Sequence, residues 1–199
     1  MMNKQRLSGI VLIIGFVVLV LFGFIFTPPN LYQETDIDVR LQIVESYRSR
    51  FFAAQIATAV GAAGIAVGYL LLTLYLQGDE AARFANLGAA AMLLGTISLA
   101  ILMLLGISDP RAYLERGSLS GSPATIYDDG FTWLTIAGYL LYGIVFLRAG
   151  YPKWLAYFTL GFTILVLFAA LFIEQTAVEL LFLMPLVVGI ALLRRSKED

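Results

Sequence analysis

A chain of 199 residues that is 60% hydrophobic and 14% charged lies outside the range of soluble domains, which are nearer half apolar and a quarter charged. A net charge of −1 argues against a nucleic-acid partner, which is met by a basic patch. The absence of cysteine and histidine removes disulfides, thiolate chemistry, imidazole metal sites and histidine-ligated haem.

The apolar residues fall in long blocks, and a helix needs roughly 20 of them to cross a bilayer. Six blocks can be marked, at 7–26, 51–76, 84–107, 131–147, 154–173 and 177–193. They predict an all-α fold: one polytopic membrane domain of six transmembrane helices, with short amphipathic helices on its outer face. The first block follows the basic start "MMNKQR", as in a signal peptide. Its apolar run exceeds the usual 7–15 residues and no small-x-small cleavage site follows, so a retained first helix is expected.

Between the first two blocks, "TDIDVRLQIVESYRSRFF" places Ile37, Leu41, Val44, Tyr47 and Phe51 on one helical face, with Thr35 and Asp38 as a capping-box start. Run straight into the second block, this helix would be about 60 Å long, too long for one crossing. A bend near Ser49 and Arg50 would lay it on the outer surface. Within the second block, Ala57, Gly61, Gly64 and Gly68 form a small-residue ridge, for which Gly88, Ala91 and Gly95 of the third block offer a partner. Gln55, Thr58, Ala62, Tyr69 and Thr73 share another face of the second block.

After the third block, Asp109 reads as an N-cap and Pro110 as a first helical residue, with Gly117 ending the turn. The stretch "SLSGSPATIYDDG" then reads as irregular chain, with Asp128 and Asp129 in a turn. In the fourth block Thr132, Thr135, Tyr139 and Tyr142 fall on one face, and Thr159 and Thr163 share a face of the fifth. Threonines satisfy themselves on backbone carbonyls, so bundle packing competes with a binding cavity for these residues. Gln55 has no such local escape and should face protein or water. In the sixth block, Thr176 and Glu179 have capping-box spacing, which competes with a ligand- or proton-binding role for the glutamate.

With six spans both termini share a side. That side holds Lys4, Arg6, Arg83, Arg148, Lys153, Arg194, Arg195 and Lys197, eight basic residues against five on the other. The positive-inside rule places both termini in the cytoplasm. No Asp, Glu, Lys or Arg lies near the middle of a span, and Ser98 has no activating base nearby in sequence. No catalytic residue, metal site or cofactor is therefore expected. The candidate ligand residues are Gln55, Thr58, Thr132, Thr135, Tyr139 and Glu179, lining an outward-facing vestibule. The expected activity is non-enzymatic binding of a small or lipid-like molecule, or of a partner protein, by a protein whose solvent is the lipid bilayer. A small transporter for an uncharged or weakly polar solute and an accessory subunit of a larger membrane complex are the alternatives.

The basic start "NKQRLSGIVLIIGF", the segment before "YRSRFFAAQ" and above all "FLRAGYPKWLAYF" resemble a group of small bacterial six-helix membrane proteins classed as a domain of unknown function. The resemblance implies a six-helix fold in a bacterial plasma membrane, and it brings no catalytic residues with it.

Overall fold

The computed structural model describes residues 4–77, 80–115, 122–172 and 180–195, and every regular element among them is helical. Helix α1 (Lys4–Val17) passes through a π-helical turn at Val18–Phe22 into α2 (Gly23–Phe26), forming one rod. There follow α3 (Ile37–Ser46), α4 (Arg48–Tyr75), α5 (Ala82–Ser108), α6 (Pro110–Leu114), α7 (Pro123–Arg148), α8 (Lys153–Phe172) and α9 (Leu183–Arg195). The first rod, α4, α5, α7 and α8 are five helices long and apolar enough to cross a membrane. Of the predicted sixth span, residues 177–179 lie outside the described residues. The described part supplies the 13-residue α9.

Burial runs opposite to a soluble protein. Phe24 and Phe172 are 82% and 75% exposed, whereas Gln5, Ser8, Gln55, Thr132, Thr135, Thr159 and Thr163 are buried. An apolar exterior around a core containing polar groups is what a lipid solvent selects.

The largest interfaces trace the order α8–α7–α5–α4–α1–α9, and a smaller contact between α9 and α8 brings the two ends of that series together. Glycines set the closest approaches. A Cβ on Gly15 would lie 2.7 Å from the Ile65 nitrogen and 2.9 Å from the Gly61 carbonyl, and one on Gly68 would run into Leu12. The ridge of α4 therefore receives α1, not the predicted third-block partner. Gly88 and Gly95 of that block face Tyr142 and Thr135 of α7 instead. The ridge's period marks a face for close packing without saying which helix fills it.

Both termini of the described chain lie at one end of the bundle. There Gln5 Nε2 donates to the Leu192 carbonyl at 3.5 Å and Ser8 Oγ to the Gly68 carbonyl at 2.8 Å. At this terminal end α7 stops at Arg148, and the φ of 66° at Gly150 just beyond lets the Tyr151 amide bond back to the Phe146 carbonyl at 3.1 Å.

The other end carries α3 and α6 and is called the cap end here. Asp36, rather than the predicted Thr35, caps α3 and accepts from the amides of Asp38 and Val39. The break between α3 and α4 falls at Tyr47, with φ −118° and ψ 32°, two residues before the predicted bend. Asp109 caps α6 with Pro110 at its start, as the sequence predicts, while Gly117 lies outside the described residues. The larger correction concerns residues 123–130, predicted irregular but forming the first two turns of α7. Ser122 caps that helix by accepting from the Thr125 amide, and Pro123 fits its first turn. Asp128 and Asp129 are thus helical.

Candidate functional site

Gln55 sits about two turns into α4, where one face of that helix turns toward α5 and the cap. Its side chain is 3% exposed, and its Oε1 is buried with no hydrogen-bond partner. Gly106 of α5 creates the room around it. A Cβ there would stand 3.3 Å from Gln55 Cδ and 3.1 Å from the ring of Tyr113. Tyr113, carried by α6 and also buried, packs edge-on against Phe51 at 5.9 Å between ring centroids.

A polar chain leads outward from this point. The hydroxyls of Tyr113 and Tyr32 lie 3.3 Å apart, and the Arg40 guanidinium stands 5.8 Å from the centroid of the Tyr32 ring. Arg40 Nε is buried without a hydrogen-bond partner. The cap is fastened above by the Arg111–Asp38 ion pair at 2.5 Å, with Glu115 a second partner of Arg111 at 3.3 Å. Arg50 Nη2 donates to the Ile25 carbonyl at 2.7 Å and ties the start of α4 to the end of the first rod.

The other predicted residues do not close around Gln55. Thr135 faces Gly95 of α5, with its Oγ1 3.2 Å from where a Cβ there would be. Gly95 and Gly106 are eleven residues apart on α5, so the levels of Thr135 and Gln55 differ by about 16 Å. Thr132, Thr135 and Tyr139 are all buried on one face of α7, as their spacing predicts. Thr58 is half-buried and points elsewhere, its Oγ1 3.0 Å from a Cβ placed on Gly23 of the first rod. Glu179, with Thr176, lies outside the described residues. Thr159 and Thr163 donate to carbonyls one turn back, at 2.8 and 2.6 Å, which satisfies them within α8.

Below Thr135 the stripe ends in an aromatic cluster. The Tyr69 ring lies 5.8 Å from that of Tyr139, edge-on, and 4.4 Å from that of Tyr142. The Tyr142 hydroxyl donates to the Tyr69 carbonyl at 3.0 Å and lies 2.8 Å from Thr73 Oγ1. The Tyr69 hydroxyl is buried beside Tyr139.

Sequence reasoning missed Tyr113, Tyr32 and Arg40. The available signal was the aromatic in "DPRAYL", a capped turn directly after an apolar block. Chemically the cap-end arrangement offers an acceptor without a donor, two aromatic walls and a cation farther out. Among the described residues no three carboxylates gather where they could hold a metal. Compared with protein-family models, curated proteins and solved structures, the chain gives no match.

Proposed function

We propose that the chain is a multi-pass protein of a bacterial plasma membrane, with six spans and both termini cytoplasmic. In this reading its cap end binds a small uncharged or lipid-like molecule without transforming it. The observation that carries the reading is the buried, unpartnered amide oxygen of Gln55. Leaving such a group unpaired costs about 1–3 kcal/mol, and a ligand hydroxyl or amide hydrogen would remove that cost. Phe51 and Tyr113 supply apolar surface beside it, which suits a molecule with one polar head and a hydrocarbon body. The five long apolar helices and the basic residues gathered at the terminal end support the membrane placement. The resemblance of "FLRAGYPKWLAYF" to small bacterial membrane proteins agrees with it.

The test is the Gln55→Leu variant. Ligand-free, it should melt above wild type, because the unpaired amide is gone. The organic-soluble molecules that co-purify with the wild-type protein should be depleted from it, as read by mass spectrometry. Identical co-purifying molecules at equal stoichiometry would refute the reading.

A transporter for an uncharged or weakly polar solute is the second reading. It is favoured by the buried polar stripe on α7, Thr132, Thr135 and Tyr139 leading to Tyr142 and Thr73, which lies about 16 Å below Gln55 at Thr135. Proteoliposomes that swell in glycerol faster than empty vesicles, and that lose this with Gln55→Leu, would favour transport over binding.

A further inference from the structure

At the terminal end, away from Gln55, a groove of about 320 Å³ is lined by Arg6, Ile190, Leu193 and Arg194. It follows the seam between α1 and α9, where the backbones meet at glycines. A Cβ on Gly9 would lie 2.9 Å from the Gly189 carbonyl and 3.2 Å from Leu193 Cγ. This close seam brings two arginines, far apart in sequence, to one opening.

Neither arginine is committed elsewhere. Both are exposed, and neither forms an ion pair or hydrogen bond among the described residues. Their neighbours differ: Arg195 stands 4.3 Å over the Tyr151 ring and donates to the Gly150 carbonyl, and Arg148 stands 4.5 Å over Phe84. Arg6 also lies in the first turn of α1, which holds no acid. A cation there opposes the helix dipole and costs a few tenths of a kcal/mol or more. A bound anion would reverse the sign of that interaction.

The rest of the groove is apolar. Ile190 and Leu183 share one face of α9 and are 40% and 46% exposed, so an apolar track leads from the arginines along that helix. We propose that the groove holds an anionic phospholipid, its phosphate between the guanidiniums of Arg6 and Arg194 and an acyl chain along Ile190 and Leu183. Arginine forks match phosphate oxygens two at a time, and basic pockets between membrane helices select anionic headgroups. The inference rests on the membrane placement and is independent of the Gln55 site.

The experiment titrates the detergent-purified full chain with dioleoylphosphatidylglycerol, dioleoylphosphatidylcholine or inorganic phosphate, and counts bound molecules by native mass spectrometry. Wild type should bind the phosphatidylglycerol at least about tenfold more tightly than the phosphatidylcholine, and Arg6→Gln with Arg194→Gln should remove that preference. Arg83→Gln with Lys153→Gln, an equal charge loss at the same end outside the groove, should leave it intact. Equal affinity for the two lipids, an unchanged Arg6→Gln/Arg194→Gln variant or an equal loss in the control pair would each overturn the proposal. Displacement of the lipid by millimolar inorganic phosphate would overturn its lipid source. Should the Arg6→Gln/Arg194→Gln variant not fold, salt dependence in wild type decides. Phosphatidylglycerol binding should weaken as NaCl rises from about 50 to 500 mM, and binding indifferent to salt overturns the proposal.

Discussion

The Tyr142 hydroxyl stands where α7 meets both α4 and α5. It donates to the Tyr69 carbonyl and lies beside Thr73 Oγ1, which in turn reaches the Ala85 carbonyl at 3.2 Å. Two hydroxyl hydrogens serve three short contacts, so the cluster holds two strong bonds at any moment and gives up the third. Tyr142→Phe removes a buried donor that links separate helices, and should cost about 1 kcal/mol in thermal unfolding in detergent. Thr163→Val removes a bond of 2.6 Å to its own helix, and should cost less than about 0.5 kcal/mol because that carbonyl keeps its backbone partner. Equal losses would contradict this division. The spacing of Thr132, Thr135, Tyr139 and Tyr142 made their common face legible in the sequence, because a helix repeats every 3.6 residues. Their partners were not legible, since a period fixes the side of a helix and not its neighbour. Gln55 stood out for a chemical reason, an amide with no easy bond to its own helix. The ring beside it was hidden, because Tyr113 arrives on a five-residue helix with no periodicity to read.

Among whole elements, composition was informative where a helix is purely apolar and misleading where polar residues begin one. Residues 123–130 contain Pro, Thr, two Asp and Gly, a set that favours turns, yet Ser122 and Pro123 start a helix there that the rest of α7 continues. Cooperativity decides such cases, since each residue added to an existing helix gains a hydrogen bond without a new nucleus. The α1–α4 contact was half legible. The α4 ridge marked a close approach, but the complementary Gly15 has no second glycine four residues away in its helix. Substitution separates packed from unpacked glycines. A Cβ on Gly61 would lie 2.6 Å from the Leu19 Cα, so Gly61→Val should cost about 3 kcal/mol or more by forcing the π-helical turn of the first rod away. Nothing lies within 4 Å of a Cβ on Gly161 of α8, so Gly161→Ala should gain up to about 1 kcal/mol from helix propensity. Both are read from denaturation in the same detergent, and a destabilised Gly161→Ala would mean that α8 has a neighbour on that face.

At the scale of the molecule, the packing order puts the chain's two described termini side by side, with α1 touching α9. The connections between α4 and α5 and between α7 and α8 fall at that same end. Its described basic residues are Lys4, Arg6, Arg83, Arg148, Lys153, Arg194 and Arg195. The cap end has Arg40, Arg48, Arg50 and Arg111, of which Arg111 is neutralised by Asp38 and Glu115. Moving many cations across a charged membrane is costly, so the richer end should remain in the cytoplasm and the cap should face out. The absence of cysteine allows a clean test, because any thiol introduced is the only one present. Gln33→Cys places a thiol on the exposed cap-end loop, and Lys153→Cys places one at the exposed start of α8. In intact cells a membrane-impermeant maleimide should label the first and spare the second, and after permeabilisation it should label both. Labelling of Lys153→Cys alone would invert the orientation and put Gln55 on the cytoplasmic side. Labelling of both in intact cells would break the alternation of spans between residues 33 and 153. If Gln33→Cys alone is labelled, the cap-end site opens to the outside, and a ligand that reaches Gln55 must come from there or from the outer half of the bilayer.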